Sequence, residues 1–130
     1  MIPESICLMP WIHLYVDTNG NAKACCNASI TYGNVNNESI ESIWNGDSIK
    51  KFRKNLLEGQ KDKRCASCFK REAVNKNSIR TETLAKYKSY LEWLPKTSSD
   101  GTCKLSKPVY LDIRYSNVCN LKCRTCWHGA

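Results

Sequence analysis

A chain of 130 residues is long enough for one ordinary domain, but it is too short for a complete eight-stranded α/β barrel, which takes about 250 residues. Nine cysteines are an odd number, so a fully paired disulfide framework would leave one thiol over, and metal-binding or catalytic thiols are favoured instead. The N-terminal segment lacks a basic region and carries Glu4 and His13 among its apolar residues, so we expect neither a signal peptide nor a membrane span, and we expect a reducing, cytoplasmic location.

The formal net charge is +8, and many of the lysines and arginines are crowded into residues 50–71. This stretch also contains Cys65 and Cys68. A basic run can bind phosphate backbones, it can offset the negative charge of a thiolate-bound cluster, or it can simply be a solvated helix face. The charge alone leaves these three interpretations open.

The first predicted element is a β-hairpin. Residues 11–17 (WIHLYVD) alternate and are rich in β-forming residues, Asn19-Gly20 provides a tight turn, and residues 22–26 return as a second strand. Cys7 then lies just before the first strand and Cys25 at the end of the second. The sequence therefore predicts that the hairpin brings these two cysteines to the same end, as a metal site requires.

Two helices are predicted next, after a turn at Gly33-Asn34. Ser39 is expected to cap a short helix that runs through Trp44, and Asp47 is expected to cap a second helix that ends near Gly59. The second helix has an apolar face, with its basic residues mostly turned outward. The apolar residues are Ile49, Phe52, Leu56 and Leu57, and the basic ones are Lys50, Lys51, Arg53 and Lys54.

The remaining elements lead to a cysteine-rich loop. A third helix is predicted over residues 78–93 with an apolar packing face, and Pro95 ends it. Residues 96–107 have the composition of a linker, in which Cys103 is expected to be a free thiol. Residues 109–114 (VYLDIR) predict a strand that feeds directly into this loop. Three residues outside the cysteine motifs are expected to have structural roles. Trp11 and Trp44 should anchor the core, and His13 should be a core or surface histidine.

Three cysteines in the loop have the spacing CX3CX2C, namely Cys119, Cys123 and Cys126. Three thiolates within eight residues can hold three corners of a 4Fe-4S cluster and leave the fourth iron open. A short strand followed by this motif, introduced by RYSNVCNLKC, resembles the start of the radical S-adenosylmethionine core. The family often has an aromatic residue before the third cysteine, whereas this chain has Thr125 there and Trp127 after the cysteine.

This resemblance implies an enzyme whose open iron binds S-adenosylmethionine through its amino and carboxylate groups. Reductive cleavage then yields methionine and a 5′-deoxyadenosyl radical that abstracts hydrogen from a peptide or another substrate. The implied partners are a flavodoxin-like or ferredoxin-like reductant and a chain that completes the barrel, with no membrane partner. Because most of the barrel has no sequence here, we expect the chain alone to be weakly active or inactive, as a fragment or one part of a split enzyme.

A second set of cysteines, Cys7, Cys25, Cys65 and Cys68, has the pattern CX12GX4C, a long gap and CX2C. Together with the fragments CLMPWIHLYVDTNG, YGNV, SIESIWNG and CASC, it resembles the SPASM auxiliary-cluster module. The shortened twitch form fits best, since no cysteine lies between Cys68 and Cys103. The resemblance implies an auxiliary iron-sulfur cluster closed by four thiolates. Cys26 can replace Cys25 as a ligand, but the glycine spacing favours Cys25.

Zinc is the alternative at both sites. The triplet with His128 provides three thiolates and one imidazole, and the other four cysteines can hold a structural zinc ion. A zinc-stabilised basic module that binds nucleic acid would also explain the net charge without a missing barrel.

The sequence thus predicts an α+β fold: a small metal-stapled β-hairpin with helices, followed by the first strand and cluster loop of an incomplete radical S-adenosylmethionine (β/α) barrel. Three parts are predicted. Residues 1–75 form the SPASM/twitch-like module, residues 76–107 form a helix and linker, and residues 108–130 begin the radical S-adenosylmethionine core.

Overall fold

A computed structural model describes residues 2–116, 118 and 120–124, and it shows a mixed α and β fold with a small four-stranded sheet. The helices are α1 Met9–Ile12, α2 Ile40–Trp44, α3 Asp47–Leu57, α4 Ala66–Ala73 and α5 Ile79–Lys86, and the 3₁₀ helices are Lys63–Cys65 and Lys88–Trp93. The strands are β1 His13–Val16, β2 Asn21–Lys23, β3 Thr31–Asn34 and β4 Tyr110–Ile113. The predicted α+β class is confirmed. No helix among the described residues is long and apolar enough to span a bilayer.

The sheet has the strand order β3-β2-β1-β4. Strands β1 and β2 form the predicted antiparallel hairpin, in which Tyr15 pairs with Lys23. The Asp17 carboxylate accepts hydrogen bonds from the backbone N–H groups of Asn19 and Asn21, both at 2.9 Å, and so fixes the turn between the strands. The predicted late strand is also confirmed as β4, and it pairs in parallel with β1 in the same sheet.

Two predictions in the hairpin region are wrong. Trp11 and Ile12 belong to helix α1 rather than to the first strand, because Pro10 stands at the start of that helix, where its fixed φ is favourable. Gly33 and Asn34 do not form a turn, since they lie in β3 and pair with β2. The Asn34 side chain donates to the carbonyl oxygen of Asn19 at 3.1 Å, which ties β3 to the hairpin turn.

The helices follow the predicted boundaries in most places. The Ser39 hydroxyl accepts a hydrogen bond from the Ser42 N–H at 3.1 Å, so Ser39 is the expected cap of α2. Helix α3 is capped by Gly46 rather than by Asp47, which is its first residue. The third predicted helix is divided into α5 and the 3₁₀ helix Lys88–Trp93. Helix α4, which carries Cys68, was not predicted.

The core surrounds Trp11 and Trp44, both fully buried, as predicted. The Trp11 indole N–H donates to Thr97 Oγ1 at 2.8 Å, and the Trp44 indole N–H donates to the Leu105 carbonyl oxygen at 3.0 Å. The predicted linker, residues 96–107, contains no helix or strand, and these two bonds fasten it to the core.

Two further polar side chains are in the core, of which Arg53 contradicts its prediction and His13 agrees with it. Arg53, predicted to point outward, is fully buried because its guanidinium finds backbone carbonyls and an amide oxygen inside the fold. His13 is buried against the Tyr110 ring, with ring centroids 4.3 Å apart, and its Nδ1 has no hydrogen-bond partner among the described residues.

Candidate metal centre

Four cysteines line one cavity at the open end of the hairpin: Cys7, Cys25, Cys65 and Cys68. Cys7 precedes α1, and Cys25 lies two residues after β2 ends. The other two come from the unit formed by the 3₁₀ helix Lys63–Cys65 and helix α4. Asp62 starts this unit, because its carboxylate accepts the Arg64 N–H at 2.9 Å. The segments on either side of α1 and the hairpin therefore contribute two thiols, and the helical unit contributes the other two.

These four thiols are close enough for the charge on any one to act on the other three. Cys25 and Cys68 are buried, whereas Cys7 and Cys65 are half-buried. Among the described residues, no three His, Cys, Asp or Glu side chains are gathered tightly enough to hold a metal ion. The thiols thus surround the cavity without meeting at one point.

The environment of the cavity favours the protonated form of three of its thiols, because it raises the pKa of Cys7, Cys25 and Cys65. Burial is the main cause that raises the pKa of Cys7 to about 12, and neighbouring thiols add to this effect. Burial, together with Cys25, likewise raises the pKa of Cys65 to about 12. The pKa of Cys25 is also raised, again mainly by burial. Metal binding requires thiolates, so loading this site must release protons.

Arg80 is the cation that lines the cavity. It is buried, its charge acts on Cys7 and Cys68, and it forms an ion pair with Glu72. Its Nη1 donates to the carbonyl oxygen of Glu4 at 2.9 Å and to that of Ile6 at 3.0 Å. Arg80 therefore holds the chain that leads into Cys7 and places a positive charge beside the thiols.

Arg80 was not predicted as a site residue. It is one of twenty lysines and arginines, and it lies beside the apolar stripe of its helix rather than within it. Its role depends on contacts with residues more than seventy positions away, which local spacing does not reveal.

Apolar side chains form much of the rest of the cavity wall and limit access of water to the thiols. They are Met9, Phe52, Leu56, Phe69 and Ile79. Met9 also connects the cavity to β4, because the Tyr110 hydroxyl donates to its Sδ at 3.4 Å.

The structure separates the other cysteines from this cavity. Cys26 is exposed and does not line it, although it adjoins Cys25. Cys103 is a buried free thiol near Arg53. In the predicted triplet, Cys123 is exposed, and Cys119 and Cys126 lie outside the described residues, as does His128.

The donor set fits an iron-sulfur cluster, because four cysteine thiolates are the usual ligands of such clusters. The same four thiols also fit zinc. The four thiols that line the cavity are therefore a donor set whose chemistry suits either metal.

Residues 7–69 match the family model of the SPASM iron-sulfur cluster-binding domain. No curated protein and no solved structure matches the chain. The match begins at Cys7 and includes all four cavity cysteines, and it confirms the resemblance of this segment to SPASM. Residues 7–69 are therefore similar to SPASM domains, and this similarity indicates iron-sulfur cluster binding.

Proposed function

We propose that Cys7, Cys25, Cys65 and Cys68 hold an auxiliary 4Fe-4S cluster of the twitch type. The observation that carries this proposal is the single cavity that all four thiols line, within a segment that matches an iron-sulfur family. Four protein thiolates would complete the ligation of the cluster, which favours electron transfer, substrate positioning or a structural role.

The residues around the cavity are suited to this task. The apolar wall limits the access of water to the sulfur atoms, and Arg80 offsets part of the negative charge that four thiolates would bring. The segments that flank α1 and the hairpin supply two of the proposed ligands and the helical unit supplies two, so a bound cluster would connect these parts of the fold.

We further propose that the chain is the N-terminal portion of a radical S-adenosylmethionine enzyme, in which Cys119, Cys123 and Cys126 hold the S-adenosylmethionine-binding cluster. Strand β4, which ends at Ile113 six positions before Cys119, supports the proposal. When bound, the cluster and S-adenosylmethionine supply a 5′-deoxyadenosyl radical for hydrogen abstraction. The substrate, such as a peptide, the reductant and a partner chain that completes the barrel belong to the same proposal.

Anaerobic reconstitution of the full chain, followed by iron and sulfide analysis and absorption near 400 nm, tests both sites. We expect about eight irons per chain, because two 4Fe-4S clusters are proposed. Replacing Cys7, Cys25, Cys65 and Cys68 by serine should leave about four irons, and so should replacing the triplet. The matched controls Cys26→Ser and Cys103→Ser should retain the full iron content.

The alternative function makes the opposite prediction. A folded, colourless protein that contains zinc and binds RNA in a salt-sensitive manner would overturn the cluster proposal and favour a nucleic-acid-binding module. An intermediate result, with iron only at the first four cysteines, would retain the auxiliary cluster and reject the radical S-adenosylmethionine site.

A further inference from the structure

Tyr32 carries a buried hydroxyl without a partner. The residue lies in β3 and is 8% exposed, and its hydroxyl oxygen has no hydrogen-bond partner among the described residues. Both buried tryptophans, in contrast, satisfy their N–H groups. Since buried polar groups in native proteins are nearly always paired, the Tyr32 hydroxyl needs an explanation.

The position of Tyr32 relates it to the cysteine cavity. The Tyr32 and Phe52 ring centroids are 6.4 Å apart, and Phe52 lines the cavity. The segment that enters β3 is fixed beside Cys65, because the Ser29 N–H donates to the Arg64 carbonyl oxygen at 3.4 Å. The Tyr32 ring therefore packs against one of the side chains that form the cavity wall, near the segment that carries Cys65.

The Tyr32 phenol also interacts electrostatically with the cysteines of the cavity. Burial raises the pKa of Tyr32 well above its ordinary value, and the charges of Cys7, Cys65 and Cys25 raise it further. The phenol therefore remains protonated, so it is available as a donor.

The nearby cations cannot accept the proton of this hydroxyl. The charges of Arg53 and Arg64 also interact with Tyr32, but a guanidinium has only donors. Sulfur from a loaded cavity is the acceptor that this environment would supply. A thiolate or sulfide carries negative charge and accepts a hydrogen bond far better than a neutral thiol does.

We propose that the Tyr32 hydroxyl donates a hydrogen bond to a sulfur atom of the auxiliary cluster and raises its reduction potential. This inference rests on the proposed function. The bond favours the reduced cluster, because reduction adds negative charge to the accepting sulfur. Tyr32 is thus a positioning and tuning residue that binds no iron itself.

The test compares Tyr32→Phe with the parent in a full-length chain whose triplet cysteines are replaced by serine, so that only the auxiliary cluster is present. Redox titration monitored by electron paramagnetic resonance should give a lower midpoint potential for Tyr32→Phe at unchanged iron content. After exchange into D₂O, pulsed measurements on the reduced parent should detect a deuteron near the cluster that is lost in the variant. Tyr15→Phe is the matched control, since the Tyr15 ring lies 5.8 Å from Arg114 Cζ rather than beside a residue of the cavity wall, and it should change neither quantity.

An unchanged midpoint potential and an unchanged deuteron coupling in loaded Tyr32→Phe would overturn the inference. If Tyr32→Phe does not fold or load, 3-fluorotyrosine at position 32 retains the ring and strengthens the donor. A higher midpoint potential then supports the inference, and an unchanged one rejects it. A parent chain that binds no iron rejects the proposed function itself, so the two failures are distinct.

Discussion

The Arg53 guanidinium lies over the Trp44 indole, with Cζ 4.8 Å from the ring centroid, and its Nη2 donates a 2.7 Å hydrogen bond to the Trp44 carbonyl oxygen. Its Nε donates to the Pro10 carbonyl oxygen at 2.8 Å. Its Nη1 donates to Asn45 Oδ1 at 2.8 Å and to the Gly101 carbonyl oxygen at 3.2 Å. One buried cation thus joins α1, the end of α2 and the loop before Cys103.

Replacement of Arg53 by methionine should be strongly destabilising. The variant leaves buried carbonyl oxygens without donors, so we expect a loss of about 3 kcal/mol in the free energy of unfolding. Chemical denaturation of both proteins in the same metal state measures it. Lys54→Met is the matched control, because Lys54 is exposed on the same helix, and it should change stability by less than about 0.5 kcal/mol. Equal midpoints for the two variants would contradict this role of Arg53.

Arg53 also illustrates how far the sequence could predict the fold. Residue 53 is four positions after the buried Ile49, so helical spacing alone places it near the apolar face. A charged side chain was nevertheless expected to be exposed. The sequence does not show that distant segments supply the carbonyl oxygens that accept hydrogen bonds from the buried guanidinium. The periodicity of α3 was thus predictable, whereas the acceptors that allow a buried cation were not.

The same division between local and distant information holds for the sheet and the cavity. The hairpin and β4 were predicted, because residue alternation and turn residues are local signals. The parallel pairing of β4 with β1 joins residues nearly one hundred positions apart and was not predicted. The four cavity cysteines were grouped from their spacing, whereas Arg80 lines the cavity only because of tertiary packing.

Gly101 should not tolerate a side chain. Its φ is +94°, and an added Cβ would collide with the backbone carbonyl of Lys50. Gly101→Ala should therefore reduce stability by about 2 kcal/mol or more, measured as a shift in the denaturation midpoint. Gly59→Ala separates strain from collision, because Gly59 has a φ of +81° but its added Cβ would lie 3.7 Å from the nearest atom. If Gly101→Ala reduces stability no more than Gly59→Ala does, the loop around residue 101 shifts to accommodate the added methyl group.

Arg80 is expected to affect both stability and cluster loading. Arg80→Gln removes the ion pair with Glu72 and the bonds to the carbonyl oxygens of Glu4 and Ile6, at a cost of about 2 to 3 kcal/mol. It also removes the positive charge beside Cys7, so iron incorporation should be slower and less complete. Lys76→Gln removes an exposed cation and serves as the control. Normal loading and stability in Arg80→Gln would contradict the role given to Arg80.

Cys25 and its neighbour Cys26 should differ as ligands. Cys25 is buried in the cavity wall, whereas Cys26 is exposed and does not line the cavity. Cys25→Ser should therefore lose most iron from the auxiliary site, while Cys26→Ser should load normally. Iron and sulfide analysis in the background without the triplet measures both. The reverse result would assign the ligand to Cys26.

The buried His13 should make stability depend on pH in the mildly acidic range. Burial is the main cause that lowers its pKa, although Asp112 and the Tyr110 backbone act in the opposite direction. The unfolded chain binds a proton at His13 near its ordinary pKa of about 6.5, whereas the folded chain binds it only at a lower pH. Stability is therefore fully present above about pH 7.5 and falls as the pH decreases through about 6.5 toward the folded value.

His13→Phe retains an aromatic ring against Tyr110 and removes the titrating group. The difference in melting temperature between the parent and His13→Phe should therefore shift in favour of the variant as the pH decreases from about 7.5 to about 5.5, above the range in which ordinary carboxylates titrate. Thermal unfolding followed by circular dichroism over this range measures the difference. Parallel pH profiles for the two proteins would show that His13 accepts a proton equally well in the folded and unfolded chains.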